Sequence, residues 1–152
     1  MTVKTFDELK NNLQKNGQIL ALDIGTKRIG VAISDDTQTL SSPKTIIKRF
    51  GNSKDFVKIQ NIVQEYKIIA IIIGLPLNMD DSFSKMSYFT TDFANNLDYF
   101  FEQKIPITLF DERLTSFAAQ DINCSKISKK QKHVDDIAAS IILESFLVEK
   151  NL

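Results

Sequence analysis

Apolar residues recur at helical spacing at Val3, Phe6, Leu9 and Leu13, and Asn16-Gly17 offers a stop. A short amphipathic leader helix is therefore expected within residues 1–17. The pattern then switches to strands, Gln18 to Asp23 and Ile29 to Ser34, with only Gly25-Thr26-Lys27-Arg28 at the turn between them. So short a connection requires an antiparallel hairpin. Ser34-Asp35-Asp36-Thr37 is loop chemistry, and Thr45-Ile46-Ile47 after Pro43 reads as a third strand. Helical spacing returns at Phe56, Ile59, Ile62, Val63 and Tyr66, with Asn52 or Ser53 available as a cap. Ile68 to Ile73 is a near-continuous β-branched run, as in a strand covered on both faces.

Met86, Phe89, Phe93, Leu97 and Phe100 outline a second long helix, and Ile105 to Phe110 another buried strand. Thr115 or Ser116 can cap a third helix through Ile122; a lysine-rich loop follows, then a last helix from about Val134 to Val148. Three hairpin strands followed by helix–strand–helix–strand–helix define an α/β chain, its later strands joining the first as parallel neighbours through right-handed crossovers. Residues 18–152 read as one domain, since 152 residues bury roughly two-thirds of the unfolded surface. The 11 phenylalanines, with no tryptophan, are assigned to core packing.

Composition narrows the function only slightly. The 43% hydrophobic and 25% charged residues are ordinary globular values. The 19 basic and 19 acidic residues cancel, so any attraction for a polyanion must come from local clusters. Lys27-Arg28, Lys44, Lys48-Arg49 and the Lys126 to His133 stretch are such clusters. One cysteine, Cys124, cannot form an internal disulfide. No signal peptide and no apolar run of about 20 residues is found, so a soluble, cytoplasmic protein without a membrane partner is expected.

The candidate chemistry is acidic. Asp23 ends the apolar run Ile19-Leu20-Ala21-Leu22 and is followed by Ile24-Gly25-Thr26, where a tight turn would bare backbone N–H groups. The plain alternative is an Asx cap on that turn. Asp111-Glu112-Arg113 sits where a strand leaves the sheet, with a surface ion pair as its plain alternative. Asp135-Asp136 opens the last helix, where the macrodipole alone favours acids. Asn78 and Asp80 follow the β-branched strand and could line the same cleft, or form a rigid turn capping the next helix. Ligands in open α/β sheets collect beyond the carboxyl ends of parallel strands, so the three acidic steps converge on one magnesium pocket in this reading. His133 has no second histidine with which to form a zinc set.

Four segments, LDIGTKRIGVAISD, IIIGLPLNMD, LFDERLTS and the stretch from Lys132 to Leu147, resemble the YqgF/RuvX family of Holliday-junction-resolvase-like proteins, over roughly residues 18–148. The resemblance implies an RNase-H-like fold, a five-stranded mixed sheet of order 3-2-1-4-5 flanked by helices. It implies a nuclease acting on structured nucleic acid, processing the 5′ end of precursor 16S ribosomal RNA. The family's acidic residues fall on Asp23, Glu112 and Asp135, with Asp111 and Asp136 as second choices. Lys27, Arg28, Asn78, Arg113 and Lys132 are the substrate-binding candidates. Asp81 stands where the family usually has glycine; aspartate tolerates left-handed backbone better than most residues.

The mechanism expected is hydrolysis assisted by two Mg²⁺ or Mn²⁺ ions, Asp23 bridging them and Glu112 and Asp135 each completing one. Lys27, Arg28 and the Lys129-Lys130-Lys132 loop would hold phosphates without reading sequence. Precursor rRNA or branched DNA is the partner expected, with the protein a monomer or weak homodimer. Other classes are a non-catalytic nucleic-acid-binding assembly or transcription factor, a Holliday-junction resolvase, and a sugar-kinase-like ATPase suggested by the Asp-x-Gly-Thr loop. The last normally needs two related domains.

Overall fold

A computed structural model describes residues 3–115 and 134–152, with side chains throughout except at residues 134–136. Its elements are α1 (Phe6–Asn12), β1 (Ile19–Ile24), β2 (Arg28–Ser34), β3 (Ser41–Lys48), α2 (Asn52–Tyr66), β4 (Ala70–Leu75), α3 (Lys85–Phe100), β5 (Ile107–Asp111) and α4 (Val134–Lys150), with a 3-10 turn at Glu112–Leu114. The sheet has the expected order β3-β2-β1-β4-β5. β1 and β2 pair antiparallel, as do β2 and β3, whereas β4 runs parallel to both β1 and β5.

Alternation along β1 divides the core. Leu20, Leu22 and Ile24 face α2 and α3, with Ile71, Ile73, Phe56 and Phe93. Ile19 and Ala21 face α4, with Ile72, Phe110, Leu143 and Phe146. The central strands are thus buried on both sides, which explains the unbroken β-branched run of β4. Ala139 is fully buried where α4 crosses the sheet, so its small side chain permits close approach.

Several boundaries differ from the sequence expectation for identifiable reasons. β3 is longer, running through Pro43, because it is an edge strand and a proline there forfeits no interior ladder bond. The register shifts between Val31 and Ala32, opposite that proline. Ser84 caps α3 through a reciprocal capping box with Ser87. The helix expected from Thr115 or Ser116 through Ile122 lies outside the described residues, except Thr115, whose backbone is extended. The leader joins the core: Leu9 is buried, and the Phe6 ring packs on Phe110 and Phe146. Lys4 bridges β5, its N–H donating to the Ile107 carbonyl at 2.7 Å. Among the described residues no helix is long and apolar enough to cross a membrane.

Candidate active site

Asp23 lies one residue from the end of β1, at the carboxyl edge shared by the parallel strands β1, β4 and β5. It has the parity of Ile19 and Ala21, so it sits on the face covered by α4. The chain then turns within three residues, and the Gly25 N–H closes that turn on the Arg28 carbonyl at 2.9 Å. A Cβ on Gly25 would stand 2.7 Å from the same carbonyl oxygen, so the close approach requires glycine.

Glu112 reaches this face from the 3-10 turn that ends β5. Asp23, Glu112, Thr115, Ala138, Ile141 and Ile142 line one small cleft of about 250 Å³. Burial, then the neighbouring Asp23 and Asp111 charges, push the Glu112 carboxyl up to about 7. Space for it comes from Gly74, at the end of β4. A Cβ there would lie 2.8 Å from Glu112 Oε1 and 2.5 Å from Ile142 Cδ1. Gly74 thus shapes the cleft, a role the sequence analysis did not give it; its signal is a lone glycine near the end of a β-branched run.

The adjacent acid, Asp111, has a different task. Its carboxylate accepts from Arg113 Nε at 3.0 Å and Nη2 at 2.7 Å, and from the Arg113 backbone N–H at 2.9 Å. The Arg113 side chain holds the Asp111 carboxyl below the usual carboxylate range. The same guanidinium donates to the Asn78 carbonyl at 2.9 Å and pairs with Asp81 at 2.7 Å. Arg113 therefore clamps the loop after β4 to the end of β5. Asp81 adopts φ +70°, the left-handed conformation expected where a glycine would stand, and adds a charge to the clamp.

Asn78 and Asp80 are engaged within their own loop. Asn78 Nδ2 donates to Ser82 Oγ at 2.9 Å, and Asp80 Oδ1 accepts from the Ser82 N–H at 3.0 Å. Neither belongs to the cleft that Asp23 and Glu112 share. Lys27 and Arg28 stand at the β1–β2 turn beside the site. Lys129, Lys130, Lys132 and His133 lie outside the described residues. Asp135 and Asp136 are in the first turn of α4, and their side chains also fall outside the description. Among the described residues no three metal-ligating side chains gather; the Asp23–Glu112 pair is the acidic nucleus of the site.

Sequence reasoning gave Arg49 no role beyond a basic cluster, yet it braces this turn. Its guanidinium donates to the Gly25 carbonyl at 3.3 Å and pairs through Nε with the buried Asp55 at 3.1 Å. Its N–H reaches the Lys27 carbonyl at 3.0 Å. The Phe89 and Phe93 rings lie 5.4 and 5.2 Å from the guanidinium carbon. A larger cleft of about 780 Å³, between α2 and α3, is lined by Asn52, Phe56, Tyr99 and Gln103 and does not include the acidic pair.

A mixed sheet of this order, with acids gathered at the carboxyl edge under a crossing helix, defines the RNase-H-like class of nucleic-acid-processing folds. Solved structures bear out the fold. Thermus thermophilus RuvC in complex with a Holliday junction superposes with a TM-score of 0.60 at 10% identity, over 88% of this chain and 95% of that one. The yeast mitochondrial Holliday junction resolvase gives 0.51 at 10% identity, over 96% and 84%. Residues 17–149 match the family model described as RuvX, Holliday junction resolvase. The chain belongs to that family. A relative from Thermoanaerobacter pseudethanolicus, named "Putative pre-16S rRNA nuclease", is 40% identical over 134 residues, 86% of this chain and 95% of its own. One of the same name from Bartonella bacilliformis is 37% identical over 151 residues, 97% and 92% of the two chains.

Proposed function

We propose that this protein is a divalent-metal-dependent endonuclease that hydrolyses phosphodiester bonds in structured nucleic acid, with the 5′ end of precursor 16S rRNA as its substrate in the cytoplasm. The observation that carries the reading is the meeting of Asp23 and Glu112, 89 positions apart in sequence, in one cleft at the sheet's carboxyl edge. The family match and the name shared by its relatives supply the substrate class.

The donor set fits a hard ion. Both side chains offer oxygen, and the upward displacement of Glu112 comes first from burial and then from the neighbouring Asp23 and Asp111 charges, a setting that a bound cation would relieve. Asp135 is retained as the third ligand because residues three apart share a helix face and Ala138 lines the cleft. When bound, Mg²⁺ or Mn²⁺ would supply charge neutralisation and an acidified water. Glu112 gives up the proton it holds near neutral pH as it takes its place in the site. Asp23, fixed near the end of a buried strand, sets the position against which the scissile phosphate is aligned. Lys27 and Arg28 engage phosphates beside that position, and Lys132 belongs to the same phosphate-holding group. Arg113 acts at one remove, keeping Asp111 out of the site and the Asn78 loop docked.

The test is cleavage of a precursor 16S rRNA 5′ fragment and of a four-way DNA junction, with Mg²⁺, Mn²⁺ or EDTA, by the wild type and by Asp23→Asn. Metal-dependent cutting of the RNA, abolished by the substitution, is expected. Cutting of the junction alone would move the assignment to a resolvase. Salt-dependent RNA binding without turnover, indifferent to Asp23→Asn, would make the protein a binding factor.

A further inference from the structure

Most phenylalanines do pack in the core, but Phe50 does not: it is 63% exposed. Its surroundings are unusual for an exposed apolar side chain. Lys58 Nζ lies 4.8 Å and Lys48 Nζ 6.0 Å from the ring centroid. Neither lysine makes an ion pair among the described residues. The backbone beneath the ring is held firmly, because the buried Asp55 carboxylate accepts from the Phe50 N–H at 3.1 Å and the Gly51 N–H at 3.3 Å. Arg49 anchors that carboxylate in turn. The ring therefore stands in water on a rigid support.

The strand register relates Lys48 to the acidic cleft. Asp23 pairs with Gly30 across β1 and β2, and Arg28, two residues earlier on β2, shares the face of Gly30. Arg28 pairs directly with Lys48 on β3. Asp23, Arg28 and Lys48 thus lie on one face of the sheet. Gly30 pairs in turn with Ile46, so Lys48 stands two strand spacings across and two residues along from Asp23, roughly 12 Å.

Two cations close to a fixed aromatic ring suit a polynucleotide, whose bases stack on aromatic faces while its phosphates take ammonium groups. We propose that Lys48, Phe50 and Lys58 form an accessory nucleic-acid contact that receives an unpaired nucleotide flanking the bond that is cut. Lys48 and Lys58 turn from the ring to the flanking phosphates as the base stacks on Phe50. The proposal rests on the nuclease reading for its polarity and deepens it. It makes the substrate a duplex with an unpaired flank rather than a continuous helix.

Binding is measured by fluorescence anisotropy in the Asp23→Asn background, which separates association from cutting. The probes are an RNA hairpin with a single-stranded tail, the same hairpin with a blunt end, and their DNA counterparts. Phe50→Ala should weaken the tailed probes by about 5- to 150-fold, the range that stacking of one base contributes, and leave the blunt probes unchanged. Phe50→Trp should restore tailed binding. Lys48→Gln/Lys58→Gln should reduce the dependence of log K on log[salt] by about 1.4 for the tail, from about 0.7 per neutralised phosphate. Equal loss on tailed and blunt probes, or an unchanged salt slope, overturns the proposal. If the wild type fails to cut yet this pattern holds, the contact stands and the nuclease reading falls. If tailed substrate is cut and Phe50→Ala changes neither its binding nor its cutting, the nuclease reading stands and the contact falls.

Discussion

Replacing Glu112 by glutamine removes a charge from the crowded cleft while nearly preserving shape. The folded protein moves this carboxyl from 4.5 up to about 7, so it binds the proton more tightly than the unfolded chain does. The stabilising contribution is therefore complete below about pH 4.5 and disappears as pH rises through about 7. At about 1.4 kcal/mol per pKa unit the full effect would reach about 3 kcal/mol. The side chain is only half-buried, so solvent screening reduces this to about 1–2 kcal/mol. Urea unfolding at about pH 5 and pH 8 in EDTA measures it. The wild type should lose about 1–2 kcal/mol more than Glu112→Gln across that interval. Asp111 and Asp80 are displaced downward, act on the acid side, and cancel in the comparison. Millimolar Mg²⁺ at pH 8 should return the lost stability to the wild type and little of it to the variant. Parallel pH profiles for the two proteins would show that Glu112 is not in a charge-crowded site, and the metal argument would lose its physical basis.

Gly74→Ala should cost about 1–3 kcal/mol by overpacking, because its Cβ would meet Glu112 and Ile142. It should also raise the Mg²⁺ concentration needed for half-maximal cutting, read from a metal titration. Asp55→Asn breaks a pair whose members are nearly or fully buried and should destabilise by about 3 kcal/mol, measured by urea midpoint. Asp81→Gly should stay within about 1 kcal/mol of wild type, since relief of the left-handed backbone offsets a surface ion pair; Asp81→Val should lower the melting temperature clearly, its branched Cβ being poorly tolerated at positive φ.

The succession of hairpin strands, crossover helices and parallel strands was legible because burial periodicity and short connections leave few topologies. The β-branched run of β4 pointed to a doubly covered strand, and the short turn between β1 and β2 to a hairpin. The resemblance then supplied the sheet order that periodicity alone leaves open. Choosing Glu112 over Asp111 was not a matter of pattern, since adjacent residues differ only in where the backbone aims them; the 3-10 turn decides it. Arg113 looked like a phosphate binder, yet its five donors meet a carboxylate, a second acid and loop carbonyls. Those partners come from separate segments, which no local window can join. Arg49 was obscured for the same reason: its meaning lies in Gly25, 24 residues earlier, and in a buried aspartate that composition would place in water. The legible part is what repeats along the chain, and the rest is what meets across it.

The two margins of the sheet bear on how copies of this protein can meet. At one margin the backbone around Lys4 already occupies β5, through the Ile107 carbonyl and the Thr108 hydroxyl. At the other, β3 carries a proline and the solvent-facing lysines 44 and 48, the charged and donor-poor lining that discourages strand addition. Growth of a continuous sheet from molecule to molecule is disfavoured at both ends. Self-association by strand addition is therefore disfavoured on either side of the sheet.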